Sequence, residues 1–471
     1  MALPHPFAYQ LLTLIFFFIL LIFFSSSNFL SYKDMPEKPC VLDEVEKDPE
    51  ALVHQRSRSN FCSPKDIVFL EDEYGRIVLN FSESGHDADM KMNDNNSPEN
   101  QSESINQNTN TTGKTGNSAR NIHIPCVSTF VSGIVAAFLG HLTQDGVFAV
   151  TRVFYPGTKV ESETKELLVP SPQPQSQQLQ LQPLSQIVAN EHQDEYIAFA
   201  SGLELGKTNP MAISFLLDYI TGMIGSGADQ KRISRISRFI LLGNTAFNPP
   251  KPIDYSERKK GTGLSAQTLY DLDSCLTQVA QSVHTTIVPG ESDPTTFLWP
   301  QRPIHPCVLP RASALNSLWC TSNPAWIPHI SADDKHSTRC DILATDGRNV
   351  SDVKRFSALT GLEVMEMMMK WRIIAPTAPD TIGAFPFIDK DPFVIDNVPD
   401  IYAVGMQTSF EFRILEDEKE KKDVLFLAVP SFAATGVVVL VNPRTKYVMS
   451  VSLPTFVEAG PDGSDGMSHV I

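Results

Sequence analysis

The stretch at residues 285–310, TTIVPGESDPTTFLWPQRPIHPCVLP, limits the fold of this chain more than any other. It begins as a short run of β-formers, stops at Pro289-Gly290, and passes into a proline-rich loop carrying Glu291, Asp293 and His305. Proline and glycine together end a strand, so these ligand-type side chains fall just beyond a sheet edge. A chain that repeats the device needs buried strands, helices to cover them, and a site assembled from loops.

The second half of the chain does repeat it. Short apolar runs at 196–200, 239–242, 285–288, 341–344 and 401–404 are separated by helical segments. Leu269, Leu272, Leu276, Val279 and Val283 follow the 3-4 spacing of an amphipathic helix. A second helix is expected over 359–372, with Leu362, Met365 and Met369 on one face and the Met367–Met369 run as core filler. Strands at 424–429 and 436–442 close the pattern, and the expectation for 191–471 is a layered α/β sandwich.

The first half reads differently. Residues 11–24, LLTLIFFFILLIFF, are apolar apart from Thr13. The run is shorter than the ~20 residues of a membrane span, and no Lys or Arg precedes it as in a signal peptide. Residues 1–30 are therefore read as an apolar segment arising from a gene-model artefact, with a membrane anchor as the alternative. From Ser31 the chain turns polar and turn-rich. Runs at 67–70 and 76–81, joined by an acidic turn with Gly75, predict a hairpin. Residues 82–121, rich in Asn, Ser and Thr, cannot bury a core and read as a disordered insertion. A second hairpin is expected from 133–142 and 147–155, turning at Asp145-Gly146.

Short antiparallel strands of this kind predict an OB-type barrel over 31–165, followed by a Pro/Gln-rich linker at 166–190. Its strand aromatics Phe138, Phe148, Phe154 and Tyr155 have only Arg152 as a nearby cation, which favours core or partner packing over a single-strand stacking platform.

The formal net charge of −16 argues against a chain that itself grips phosphates. The basic stretches Lys231-Arg232…Arg235…Arg238 and Arg258-Lys259-Lys260 read as solvated surface. Seven scattered cysteines contain no C-x-x-C, so no zinc or iron–sulfur site is legible.

A dinuclear phosphoesterase holds two metals about 3.5–4 Å apart with carboxylates, an Asn and histidines placed beyond successive strand ends. The strand ends here carry something else. Ser201-Gly202-Leu203 stands where D-x-H is needed, and Asn244 in Gly243-Asn244 replaces a bridging carboxylate with a neutral amide. Glu291 and Ser292 replace the Asn and His of the third loop, leaving Asp293 alone in keeping with it. Met406 and Thr408 stand where two histidines belong. These seven positions are read as a vestigial metal site with no catalytic residue. His305, His329, His336 and Asp341 are given no catalytic role, because no nucleophile elbow, Walker loop or H-E-x-x-H accompanies them.

Longer motifs carry a resemblance. They include Phe69-Leu70-Glu71-Asp72-Glu73, Ser201-Gly202-Leu203-Glu204-Leu205-Gly206 and Ile240-Leu241-Leu242-Gly243-Asn244. More specific are Leu298-Trp299-Pro300-Gln301-Arg302-Pro303-Ile304-His305-Pro306-Cys307, Thr321-Ser322-Asn323-Pro324, Asp346-Gly347-Arg348-Asn349-Val350-Ser351-Asp352 and Thr377-Ala378-Pro379-Asp380-Thr381-Ile382-Gly383. Val429-Pro430-Ser431-Phe432 and Val439-Leu440-Val441-Asn442-Pro443 continue the series. Together they resemble the small regulatory subunit family of DNA polymerase delta, within the accessory subunits of B-family DNA polymerases.

The resemblance implies an α+β, β-rich fold: an OB-fold barrel packed on an inactive, calcineurin-like phosphoesterase α/β sandwich. It implies a non-catalytic scaffold in nuclear DNA replication and repair, with no cofactor of its own. The implied partners are the cysteine-rich C-terminal domain of the catalytic subunit, a third subunit, the sliding clamp through that subunit, and DNA through the holoenzyme. The family has its first barrel strand ahead of the match, where this chain carries its apolar run. The readings set against it are an active metallophosphoesterase and a protein anchored in a membrane through residues 11–24.

Overall fold

The computed structural model describes residues 30–38, 59–71, 75–81, 126–157, 195–248, 264–330, 339–416 and 423–455. The expected apolar run, the insertion at 82–121 and the linker at 166–190 lie outside them, apart from Leu30 at the end of the first. The chain divides into two compact units, 1–156 and 157–471.

The first unit is one five-stranded sheet. Its strands are β1 (Leu30–Asp34), β2 (Ile67–Glu71), β3 (Arg76–Asn80), β4 (Ala137–Leu142) and β5 (Phe148–Phe154), in the order β1-β2-β3-β5-β4. Both expected hairpins are present, and β3 pairs with β5 in parallel. The segment from Ser31 corrects the sequence reading. It is a strand, not turn, and it pairs with β2 along its whole length.

Polar residues hid that strand. Lys33 is buried and its Nζ lies 3.1 Å from Asp66 Oδ2, so a charged residue sits on the inward face of β1 because its partner is buried with it. The Ser31 backbone N–H donates to Ile134 O at 2.9 Å, tying β1 to the segment that leads into β4. Inside, the Phe130 ring packs on Phe81 at 5.1 Å and on Phe138 at 6.0 Å. Of the other strand aromatics Phe154 is exposed, while Phe148 and Tyr155 are half-buried.

The second unit stacks two sheets. One has the order β16-β15-β6-β7-β8-β9, from β6 (Tyr196–Ser201), β7 (Ile236–Leu242), β8 (His284–Val288), β9 (Leu318–Cys320), β15 (Val437–Val441) and β16 (Val448–Ser452). The other has the order β10-β11-β12-β14-β13, from β10 (Ala325–Ile330), β11 (Arg339–Thr345), β12 (Ile401–Gln407), β13 (Glu411–Glu416) and β14 (Asp423–Pro430). Phe199, Ile240 and Val288 of the first sheet meet Ile342, Ala403 and Leu427 of the second in one core. Both faces of the central strands are buried, which explains their continuous apolar runs.

Helices cover the outer faces. On the first sheet lie α1 (Pro210–Ile220) and α3 (Ala266–Ala280), whose Leu216, Leu272, Leu276 and Val279 join Phe239 and Leu241. Between them in sequence comes the short α2 (Gly227–Ile233). On the second sheet lie α4 (Arg348–Phe356) and α5 (Gly361–Trp371). Met365, Met368 and Met369 are buried there. A single turn, α6 (Phe432–Thr435), links β14 to β15. The resulting α+β sandwich holds every strand expected of the second half, and adds β9, β10, β13 and β16.

Candidate metal centre

Parallel strands β6, β7 and β8 of one sheet and β11, β12 and β14 of the other bring their C-terminal ends together. In layered α/β folds ligands bind beyond such ends. These strand ends and the loops beyond them contain all seven positions singled out in the sequence.

Ser201 ends β6 and is buried. Its Oγ donates to Leu242 O at 2.5 Å and accepts the Met406 backbone N–H at 2.8 Å, so one hydroxyl ties the ends of β6, β7 and β12. At the end of β7, Asn244 takes the left-handed conformation, φ +49°, and its Oδ1 accepts the Ser292 N–H at 3.1 Å. The Ser292 hydroxyl donates to Ala246 O at 2.6 Å.

Asp293 is fully committed. Its Oδ1 accepts from Thr245 N–H at 2.8 Å, Thr245 Oγ1 at 2.5 Å and Ala246 N–H at 3.0 Å, while Oδ2 accepts the Gly290 N–H at 2.8 Å. Burial pushes its carboxyl up, against the pull of these four donors. Glu291 and Thr408 are exposed.

Close backbone approaches pack the ends tightly. A Cβ on Gly202 would lie 2.5 Å from Met406 Sδ, and one on Gly290 would lie 2.5 Å from Asn244 Oδ1. One on Gly243 would lie 2.6 Å from Asp346 Cβ, and one on Gly405 would lie 2.5 Å from Ser201 Oγ. Side chains of one strand end therefore fill the space left by glycines of the next. The buried and half-buried donors there are two hydroxyls, an amide, a thioether, the Asp293 carboxylate already holding four hydrogen bonds, and the Asp346 carboxylate already paired with Arg348. That set does not match the charged oxygens and imidazoles that a pair of divalent ions takes. Among the described residues no three His, Cys, Asp or Glu side chains are grouped as metal ligands would be.

The other candidates stand apart. His305 is exposed, and its Nδ1 accepts the Cys307 N–H at 3.2 Å. His329 is buried with Nε2 3.4 Å from Glu195 Oε1, and burial holds its imidazole below the ordinary histidine value. His336 lies outside the described residues. Asp341 pairs with Arg339 Nε at 2.8 Å. A cavity of about 190 Å³ is lined by Trp326, Ile327, Pro328, Arg339, Asp341 and Asn397, none of them at the C-terminal end of a parallel strand.

Sequence reasoning missed one group at the centre. Asp346 follows β11, pairs with Arg348, and links through it to Gln301 and through its own backbone N–H to Asn323. All four lie inside motifs quoted for their length. The signal that could have found them is the same one used elsewhere, a strand running into glycine, here Thr345-Asp346-Gly347.

Comparison with known proteins gives two family matches. Residues 30–153 match the OB-fold domain of the DNA polymerase delta subunit, and residues 197–412 match the B-subunit family of DNA polymerases alpha and epsilon. The DNA polymerase delta small subunit of Arabidopsis thaliana is 30% identical over 431 residues, covering 90% of this chain and 80% of its own. That of Oryza sativa subsp. japonica is 29% identical over 435 residues, 91% of this chain and 83% of its own. That of Saccharomyces cerevisiae is 26% identical over 451 residues, covering 90% and 77%.

Proposed function

This chain belongs to the DNA polymerase delta small-subunit family, and from that premise we propose that it is a non-catalytic scaffold of the polymerase. In this reading it bridges the cysteine-rich C-terminal domain of the catalytic subunit to a third subunit, and through that subunit reaches the sliding clamp. It acts in nuclear DNA replication and repair, and meets DNA through the holoenzyme. Its second unit is an inactive phosphoesterase-like sandwich, and Ser201, Asn244, Glu291, Ser292, Asp293, Met406 and Thr408 mark the vestigial metal loops.

The observation that carries the reading is the closed set of contacts at the strand ends. A two-metal phosphoesterase keeps charged ligands unspent, aimed at ions that make hydroxide and clamp phosphate oxygens. Here the polar atoms of Ser201, Asn244, Ser292 and Asp293 bond to one another's loops. Such loops stiffen a surface, and a stiff surface with little ordering left to do suits a scaffold.

The test is co-expression of the full chain with the C-terminal domain of a delta-type catalytic subunit, followed by size exclusion and metal analysis of each chain. A one-to-one complex with metal on the catalytic chain alone is expected. Failure to associate, or stoichiometric metal on this chain with phosphodiester turnover, would overturn the reading.

A further inference from the structure

The end of β11 holds a buried ion pair among the strand ends. Asp346 has a side chain 3% exposed, and its Oδ2 lies 3.1 Å from Arg348 Nε. A Cβ on Gly243 would fall 2.6 Å from Asp346 Cβ and 3.3 Å from Gly290 Cα, so the ends of β7, β8 and β11 touch at this carboxylate. A buried carboxylate in such a place needs a cation or a full set of donors.

Arg348 supplies both. Its backbone N–H donates to Asp346 Oδ1 at 3.2 Å, Nη2 donates to Gln301 Oε1 at 2.8 Å, and Nη1 donates to Phe297 O at 3.2 Å. Gln301 Nε2 in turn donates to Gly290 O at 2.9 Å, and Asn323 Nδ2 donates to Gln301 Oε1 at 3.0 Å. The guanidinium carbon also lies 5.2 Å from the Phe297 ring centroid and 5.5 Å from that of Trp299. One planar cation thus ties the β11–α4 turn to the loop at 297–301, and Gln301 carries the tie on to Gly290 after β8. A lysine point charge could not bond Asp346, Phe297 O and Gln301 in that forked geometry.

We propose that the Arg348 guanidinium does the electrostatic and tethering work that divalent ions do in a metal-bearing sandwich of this form. The proposal rests on reading the strand-end loops as vestigial. Two divalent ions would need several negative ligands around them. With Asn244 neutral and Asp293 satisfied by backbone donors, Asp346 is the carboxylate that needs a cation, and one guanidinium balances it. The long motifs around Trp299, Asn323 and Arg348 are then parts of one internal clamp.

The experiment compares thermal midpoints of the purified full chain with those of three variants. Arg348→Met is expected to lower the midpoint by at least about 6 °C, because it strands a buried carboxylate. Arg348→Lys, which keeps the charge without the fork, should recover part of that loss. The double variant Asp346→Asn/Arg348→Met should recover most of it, and remains informative if Arg348→Met alone does not fold. A double variant no more stable than Arg348→Met would overturn the proposal, since the cation would then not be balancing Asp346. Titration with Mn²⁺, followed by the loss of its free-ion paramagnetic signal, separates the two readings. The wild-type chain is expected to leave Mn²⁺ free, and stoichiometric uptake would overturn the vestigial reading itself.

Discussion

Asp293 distinguishes a structural carboxylate from a metal ligand by the sign of one measurement. Its two oxygens hold the backbone N–H groups of Thr245, Ala246 and Gly290 and the Thr245 hydroxyl, at 2.5–3.0 Å, in a fully buried position. Asp293→Ala strands three buried N–H groups while the hydroxyl can turn elsewhere. At about 1–3 kcal/mol per orphaned donor, the loss is about 3–9 kcal/mol.

Asp293→Asn keeps the shape. Its amide oxygen can stand at the Oδ1 position and keep three donors, but its NH₂ then faces the Gly290 N–H. One orphaned donor puts the cost at about 1–3 kcal/mol. The assay is urea unfolding in the presence of EDTA, with the order wild type, then Asn, then Ala expected. In a metal site stripped of its ions a buried carboxylate is a burden, and the amide would be neutral or stabilising. An Asp293→Asn midpoint at or above wild type would therefore refute the argument.

Three other outcomes follow from the geometry. Burial holds His329 below the ordinary histidine value, so below about pH 6.5 the unfolded chain takes up a proton that the folded chain resists. Stability should fall as pH drops through that window, and His329→Gln should remove this component from the pH dependence of Tm; an unchanged slope would count against it. Gly347 has φ +98° and its Cβ would lie 1.9 Å from Gly405 O, whereas Gly146 has φ +78° with open space around it. Gly347→Ala should cost more than about 3 kcal/mol and Gly146→Ala about 1–2 kcal/mol, read by urea unfolding, with equal costs refuting the close approach. Lys33→Met should cost about 3–5 kcal/mol by stranding Asp66, and Asp66→Leu beside it should recover most of that loss in the same assay.

The legible parts of the fold were those where one period dominates. Strands buried on both faces, such as Phe239–Leu242 within β7, read as apolar runs, and α3 read from its leucine spacing. The missed strands break that pattern for local reasons. In β10 a proline and a histidine interrupt alternation, with Trp326, Pro328 and Ile330 exposed and Ala325, Ile327 and His329 buried. The first strand carries Lys33, whose burial depends on Asp66 far along the chain. The start of α1 was legible in principle, since Asn209 caps it and Pro210 opens it.

At the site, the identities of the strand-end residues were readable but their mutual contacts were not. That Asn244 bonds Ser292, or that Met406 lies against Gly202, depends on how two sheets meet. No spacing in one chain encodes it.

The contacts at the missing Cβ positions also bear on history. Met406 Sδ occupies the space beside Gly202, Asn244 Oδ1 that beside Gly290, and Asp346 Cβ that beside Gly243. An imidazole at 406 or a carboxylate at 244 would enter a neighbourhood fitted to the present side chain, before any second ligand existed to reward the change. Each single substitution toward a metal ligand thus starts downhill in stability, and interiors this dense give little slack. On the proposed reading of these loops as vestigial, such mutual filling works as a ratchet: substitutions could accumulate one at a time, whereas the way back requires several together.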